Sequence, residues 1–205
     1  MIWNPSDHWL ISDLHLGHNN LRKYEGKFRS NRACMNMPFE DYIARNWDAV
    51  VQPNQTVWVL GDVVWRVKGF ETWLRDRPGT KYLVRGNHDS SRTNAWFKRW
   101  GFSEVYRLWY MMRVMDKDAW ISEGQFVERD RLLLTHYPIV GGGTRYPERI
   151  RDCREAFWRE RARLNVHGHT HSHSVDDDKV FNVSCEAIGM GPMNLEKILA
   201  RTTED

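Results

Sequence analysis

Cysteine is scarce in this sequence. Its 205 residues hold three, Cys34, Cys153 and Cys185, far apart and none in a CxxC pair. That excludes a disulfide framework and points to free thiols in a reducing compartment. Long apolar runs are missing too. The longest are strand-sized, so no helix is expected to span a membrane, and Met1 to His8 shows neither the basic region nor the apolar run of a signal peptide. There is no Pro/Gly/Ser linker, repeat or low-complexity segment, so one domain over residues 1–205 is expected, in the cytoplasm. Excess charge is small: a net +3 spread over scattered Arg and Lys is not the basic stripe of a dedicated nucleic-acid binder. What remains, 41% hydrophobic and 28% charged residues, is the composition of an ordinary globular chain. The 11 Trp read as core and surface anchors rather than base-stacking platforms.

Apolar runs recur and end on chemically competent residues. His8 to Ser12, Thr56 to Leu60 and Lys81 to Arg85 read as strands. Between them, Glu40 to Ala49 and Phe70 to Arg77 read as helices, the second stopped by Pro78-Gly79. This alternation implies parallel strands with crossover helices. In the second half, Val105 to Val114, Gly124 to Glu128 and Leu132 to Thr135 read as shorter strands joined by turns, so an antiparallel portion is expected. A helix over Cys153 to Arg163, strands over Leu164 to His167 and Val180 to Val183, and a last helix over Leu195 to Ala200 capped by Asn194 complete the reading. The expected class is α/β (mixed α+β), two packed β-sheets in a sandwich flanked by helices.

Five of these strands run directly into a cluster of polar ligand types: Asp13-x-His15, Gly61-Asp62, Gly86-Asn87-His88-Asp89, Thr135-His136 and Gly168-His169-Thr170-His171. The carboxyl ends of strands are where an α/β sheet carries its site. Asp13, Asp62, Asn87 and the imidazoles of His15, His136, His169 and His171 form a mixed O/N donor set without thiolate, suited to Mn, Fe, Zn or Ni. Seven ligands exceed one tetrahedral ion. Two ions sharing a carboxylate accommodate them, and such a pair activates water for phosphoryl displacement.

In this order the clusters resemble the five motifs of the calcineurin-like metallophosphoesterases, particularly the small stand-alone bacterial and phage members. Further likeness lies in Gly17-His18-Asn19-Asn20 and Asn182-Val183-Ser184. The resemblance implies a four-layer fold, with Asp13, His15 and His171 on one ion, Asn87, His136 and His169 on the other, and Asp62 bridging. It also implies His88 as general acid and direct attack of a metal-bridging hydroxide. The expected substrate is a small phosphodiester, of nucleotide or cyclic-nucleotide type, with manganese as the first-choice metal. Alternatives are a phosphomonoesterase, a nuclease acting on polynucleotide ends, and a non-catalytic metal-binding scaffold; nucleic acid is a conceivable partner, a membrane is not. Where the phosphoprotein phosphatases continue Gly-Asp with an aspartate that orients the histidine and a phosphate-binding arginine, this chain has Trp65 and Arg66. Arg66 matches the arginine, but the residue that orients His88 is left open.

For the remaining candidates a structural or surface role stands beside the functional one. Arg29, Arg32, Arg85 and Arg92 either steer anions or are solvated charge. Arg149 to Arg163 reads as a solvated helix face with a nucleic-acid role open. His18 either lines the pocket or packs near Gly17. His8, His167 and His173 read as structural or solvent-facing, and Gly141-Gly142-Gly143 as a mobile rim or a plain loop.

Overall fold

The computed structural model describes residues 2–121, 125–141 and 145–201. In chain order these form β1 (Ile2–Trp3), a 3-10 turn (Pro5–Asp7), β2 (His8–Ile11), α1 (Leu21–Tyr24), α2 (Gly26–Arg29), α3 (Phe39–Val50), β3 (Thr56–Val59) and β4 (Thr80–Val84). They continue with α4 (Asn94–Trp100), β5 (Glu104–Tyr106), β6 (Trp109–Ile121), β7 (Gln125–Thr135), α5 (Pro147–Arg159), β8 (Leu164–His167), β9 (Val180–Asn182), β10 (Met193–Asn194) and α6 (Leu195–Arg201).

The strands make two five-stranded sheets, ordered β10-β2-β3-β4-β5 and β1-β6-β7-β8-β9. Side chains of a strand alternate between faces, and here the alternation sorts residues between two different cores. In β2 and β3, Leu10, Trp58 and, just past the strand, Leu60 enter the space between the sheets. They join Met112, Val114, Leu132, Leu134, Leu164 and Val166 from the second sheet, with Leu195, Ile198 and Leu199 of α6. Their neighbours Ile11, Val57 and Val59 face outward against Phe39, Ile43 and Trp47 of α3 and Phe97 and Trp100 of α4. Leu133 likewise faces Ile150, Cys153 and Phe157 of α5. The result is helix, sheet, sheet, helix: the expected sandwich. Each fully buried Leu or Phe in these layers contributes about 1.5–3 kcal/mol.

The sequence-based expectation differs from the structure at several elements. Residues 70–77 are not a helix but a run of turns, with Trp73 N–H on Phe70 O (3.2 Å) and Arg77 N–H on Leu74 O (3.2 Å). Packing on α3 overrides propensity there, because Arg77 pairs with Asp48 and Trp47 Nε1 donates to Pro78 O at 3.1 Å. The antiparallel portion expected in the second half is present: β6 and β7 pair that way, and β10 lies antiparallel to β2. β7, β8 and β9 are parallel neighbours, because α5 acts as a crossover helix between β7 and β8. The two short strands expected around 124–135 are one strand, β7, whose charged middle is satisfied by Glu128 bridging Arg113 and Arg131. Gly124, Gly142 and Gly143 lie outside the described residues. The helix expected from Cys153 begins earlier, at Pro147, where the missing N–H and fixed φ of proline suit a first turn, and it ends at Arg159. α6 matches its expectation: Asn194 Oδ1 accepts from Glu196 N–H at 2.9 Å.

At one edge the two sheets join. Ser12, just past β2, donates its N–H to Val183 O (2.8 Å) and accepts from Cys185 N–H (3.1 Å), while its hydroxyl donates to Leu60 O (2.6 Å). The carboxyl ends of β2, β3, β4, β7, β8 and β9 therefore converge on one spot. Among the described residues no helix is long and apolar enough to cross a membrane.

Candidate metal centre

The loops leaving these strand ends turn sharply. Asp13, His15, Asp62, His169 and His171 all have left-handed backbone, with φ between 50° and 70°. Such a conformation costs roughly 1–3 kcal/mol per non-glycine residue and persists only where the surroundings enforce it. Here backbone bonds between loops enforce it: Asp13 N–H on Gly61 O (3.1 Å) and His15 N–H on Asp62 O (2.9 Å). Two glycines let the loops close up. A Cβ on Gly86 would overlap Asp62 Oδ1, and one on Gly168 would overlap Ser12 Oγ and Asp13 Oδ2.

All seven candidate ligands meet here, in two groups. Asp13, His15 and His171 form the first, with His15 Nε2 3.7 Å and His171 Nε2 3.9 Å from Asp13 Oδ1. The second gathers around His136 Nε2, which lies 3.0 Å from Asn87 Oδ1, 3.2 Å from His169 Nδ1 and 3.4 Å from Asp62 Oδ2. Asp62 Oδ2 also lies 3.6 Å from His15 Nε2, so one oxygen adjoins both groups.

The hydrogen bonds fix which atoms point inward. His136 Nδ1 donates to Leu60 O at 2.8 Å, so in the neutral ring Nε2 presents a lone pair. Asn87 Oδ1 and Asp62 Oδ2 turn further lone pairs toward it, as does Nδ1 of His169 in its Nε2–H tautomer. Asp13 Oδ2 accepts from His169 N–H (2.9 Å) and Ser184 Oγ (3.0 Å), whereas among the described residues buried Oδ1 has no hydrogen-bond partner, nor has either ring nitrogen of buried His15. Orphaned buried acceptors cost free energy unless something positive satisfies them, and a set of carboxylate, amide and imidazole donors fits divalent cations.

The electrostatics agree. Burial disfavours the charge on Asp13, but His136, His15 and His171 outweigh it and hold the carboxyl well below its usual range. Asp62, buried but facing His136 and His15, falls to about 2. Burial also opposes protonation of His136; Asp62 and Asp13 overcome it and raise the imidazole to about 9. The centre is built to hold positive charge.

A supporting shell was not foreseen from sequence. Arg29 is fully buried: it is neither a substrate-steering arginine nor surface charge. It pairs with Glu186 and donates to Leu14 O (2.9 Å) and Asp13 O, gripping the loop that carries Asp13 and His15. Glu186 Oε1 lies 3.2 Å from His171 Nδ1. Burial lowers the His171 pKa, and the bond to Glu186 and the nearby Asp13 outweigh it, lifting it to about 9. Asp89, wholly buried, accepts from the backbone N–H groups of Asp62 (2.9 Å), Gly86 (2.8 Å) and Val63 (3.2 Å), clamping two ligand loops together.

His88 sits at the rim, its side chain 38% exposed, with Nε2 3.8 Å from Asp62 Oδ2. Its backbone N–H donates to Asp62 Oδ1 at 2.9 Å. Trp65, 48% exposed, packs edge-on against it (4.9 Å) and stacks on His18 (4.1 Å, 7°), so His18 is part of the wall that holds His88. A cavity of about 290 Å³ opens beside His88 and is lined by Trp65, Asn87, Ser90 and Arg92, but not by Arg66, which is exposed. Arg85 is spent on structure, binding Asp89 O and Arg92 O at 2.7 Å each, and Arg32 is exposed. His8 is buried and accepts from Trp58 Nε1 (3.2 Å), His167 is buried against Gly168 O (2.8 Å), and His173 is exposed. The three cysteines are buried and free.

Comparison with known proteins gives one family. A model of the calcineurin-like phosphoesterases matches residues 8–181. The Gene 66 protein of Mycobacterium phage L5 is 33% identical over 82% of this chain and 78% of its own length. Its namesake in phage D29 is 30% identical over 83% and 81%. An uncharacterized protein of Methanocaldococcus jannaschii is 25% identical over 93% and 88%. Among solved structures, a protein of unknown function from Aquifex aeolicus superposes with a TM-score of 0.74 at 27% identity, covering 95% of this chain and 98% of that one.

Proposed function

Since the chain belongs to the calcineurin-like phosphoesterase family, we propose that it hydrolyses a phosphodiester, of nucleotide or cyclic-nucleotide type, with two divalent ions, manganese first among them. The observation that carries this reading is the position of Asp62 Oδ2, 3.6 Å from His15 Nε2 and 3.4 Å from His136 Nε2. On this reading Asp13, His15 and His171 hold one ion, Asn87, His136 and His169 hold the other, and Asp62 serves both. The ions supply Lewis acidity toward phosphoryl oxygens and make water acidic enough to lose a proton near neutral pH.

The chain's own residues do the rest. Glu186 and Leu60 O fix the tautomers of His171 and His136, so that Nε2 of each faces inward. His88, beside the open cavity, donates a proton to the departing oxygen, a role typically worth ~10²–10⁴-fold. Arg92 in the cavity wall and Arg66 beyond it are the guanidinium groups available to a phosphate oxygen. The opening beside His88 leaves room for the leaving group, which a monoester and a diester share; a diester also needs space for its second substituent, and the cavity lined by Gly86 and Ser90 offers it.

The experiment is metal analysis combined with hydrolysis of bis-p-nitrophenyl phosphate and p-nitrophenyl phosphate. Two ions per chain, loss of activity on chelation, and a higher kcat/KM on the diester are expected. Asp62→Asn should lose both ions. Full activity after stringent chelation, or a single ion at saturating metal, overturns the two-ion reading, and a monoester preference overturns the diester.

A further inference from the structure

The second, larger cavity, of about 590 Å³, lies on the other side of the Asn87 loop. It begins at Gly86, directly before Asn87, and shares Ser90 with the cavity beside His88. Its volume falls in the range that takes a ligand of nucleotide size. We propose that it holds a nucleotide unit of the substrate, the part retained on the phosphoryl group, with a second phosphate on Arg107 and Arg149. This rests on the phosphodiesterase reading above and adds to it where the nucleotide lies and that it carries a second phosphate.

The lining supports this occupant group by group. Arg149 is held in place: its Nη1 donates to Tyr137 Oη at 2.7 Å, and its guanidinium lies over the Tyr137 and Tyr146 rings (5.8 and 5.6 Å). Tyr137 in turn packs on His169, ring centroids 5.2 Å apart. The guanidinium is thus one aromatic ring away from a candidate ligand, with donors to spare. Arg107 is exposed and has no ion-pair partner among the described residues. Arg85 closes the wall but has its donors committed to Asp89 O, Arg92 O and Asn94 Oδ1. Two carboxylates, Glu148 and Asp152, also line the cavity. They accept from hydroxyl or amino groups. A ligand that carries a phosphate together with sugar hydroxyls or base amino groups matches both signs of charge in the lining.

Thymidine 3′-(p-nitrophenyl phosphate), with and without a 5′-phosphate, isolates the proposed contact because the leaving group is the same. The 5′-phosphate should raise kcat/KM about ten-fold in the wild type, the scale of one charge-assisted contact. Arg107→Ala should remove most of that gain and Arg107→Glu should turn it into a penalty. Hydrolysis of bis-p-nitrophenyl phosphate should be unchanged in both variants. Equal kcat/KM for the two thymidine esters in the wild type, or a gain that survives in Arg107→Glu, overturns the proposal. Calorimetric binding of thymidine 3′,5′-bisphosphate to the manganese-loaded protein tests the groove without turnover. Affinity should fall about ten-fold or more in Arg107→Glu, and equal affinity overturns the groove. If the nitrophenyl diester is not hydrolysed at all, the phosphodiesterase reading fails while this binding result still decides the groove.

Discussion

Arg29 and Glu186 form an ion pair with no solvent exposure on either side chain, and the Glu186 oxygen that takes Arg29 Nε is also the one 3.2 Å from His171 Nδ1. One carboxylate therefore ties the loop carrying Asp13 to the ring of His171. Removing its charge strands a buried guanidinium and frees a candidate ligand together.

Glu186→Gln should accordingly cost about 3 kcal/mol of stability in the metal-free protein and weaken metal binding 10–100-fold, roughly the effect of losing a partner behind a ligand histidine. The acid limb should change as well. Burial pushes the Glu186 carboxyl up, but Arg29 and His171 outweigh it and hold it below the ordinary 4.5. A depressed folded pKa gives stability that is complete above the unfolded value and lost as pH falls through the folded one. The wild type should lose this contribution below about pH 4.5, and Glu186→Gln should lack that part of the profile. Urea denaturation from neutral to acid pH, with metal titration in parallel, measures all three effects; a variant that matches wild type in each would make the pair dispensable.

Gly86→Ala and Gly168→Ala should fold but bind metal poorly. The added Cβ of the first would overlap Asp62 Oδ1, that of the second Asp13 Oδ2. Neither glycine has a positive φ, so backbone strain is not the issue; close approach is. Circular dichroism near wild type together with at least ten-fold weaker metal binding is the expected result. Metal titration at wild-type affinity would show that the loops can give way.

The sequence made one half of this centre legible and hid the other. Asp13, Asp62, Asn87, His136 and His169 were readable because each follows an apolar strand within three residues, and parallel strands deliver their ends to a common edge. Ser184 and Glu186 follow Val180–Asn182 by two and four residues, so a sixth strand end, with Glu186 just beyond it, was discoverable. Arg29 was not. It ends a four-residue helix with no periodicity, and only the fold reveals that its charge is buried. Residues 70–77 went wrong for a related reason: their path is set by Asp48 and Trp47, distant in sequence.

Arg92→Ala should raise KM for a nitrophenyl diester several-fold without changing metal content, since Arg92 lines the cavity beside His88. Arg66→Ala tests the arginine suggested by the family resemblance. It should do less, because Arg66 is exposed and outside that lining. Steady-state kinetics of both variants decides between them, and a larger effect at Arg66 would return the phosphate contact to that side chain.

His88→Ala should keep both ions yet lose activity in a way that depends on the leaving group. Its ring lies beside Asp62 and His15 without belonging to either ligand group, 3.8 Å from Asp62 Oδ2 and 5.3 Å between centroids from His15. A general acid stabilises charge on the departing oxygen, so it matters most for a poor leaving group. Nitrophenolate departs readily without a proton; a nucleoside alkoxide does not. The variant should thus retain far more of its kcat/KM on nitrophenyl esters than on alkyl or nucleotide esters, with a gap on the order of 10²-fold. If His88 merely positioned Asp62 through its ring, the losses would be equal across the series, and if it held metal they would be accompanied by a lower ion count. A leaving-group series measured alongside metal content separates the three roles, and a flat profile at full metal content would remove His88 from proton donation.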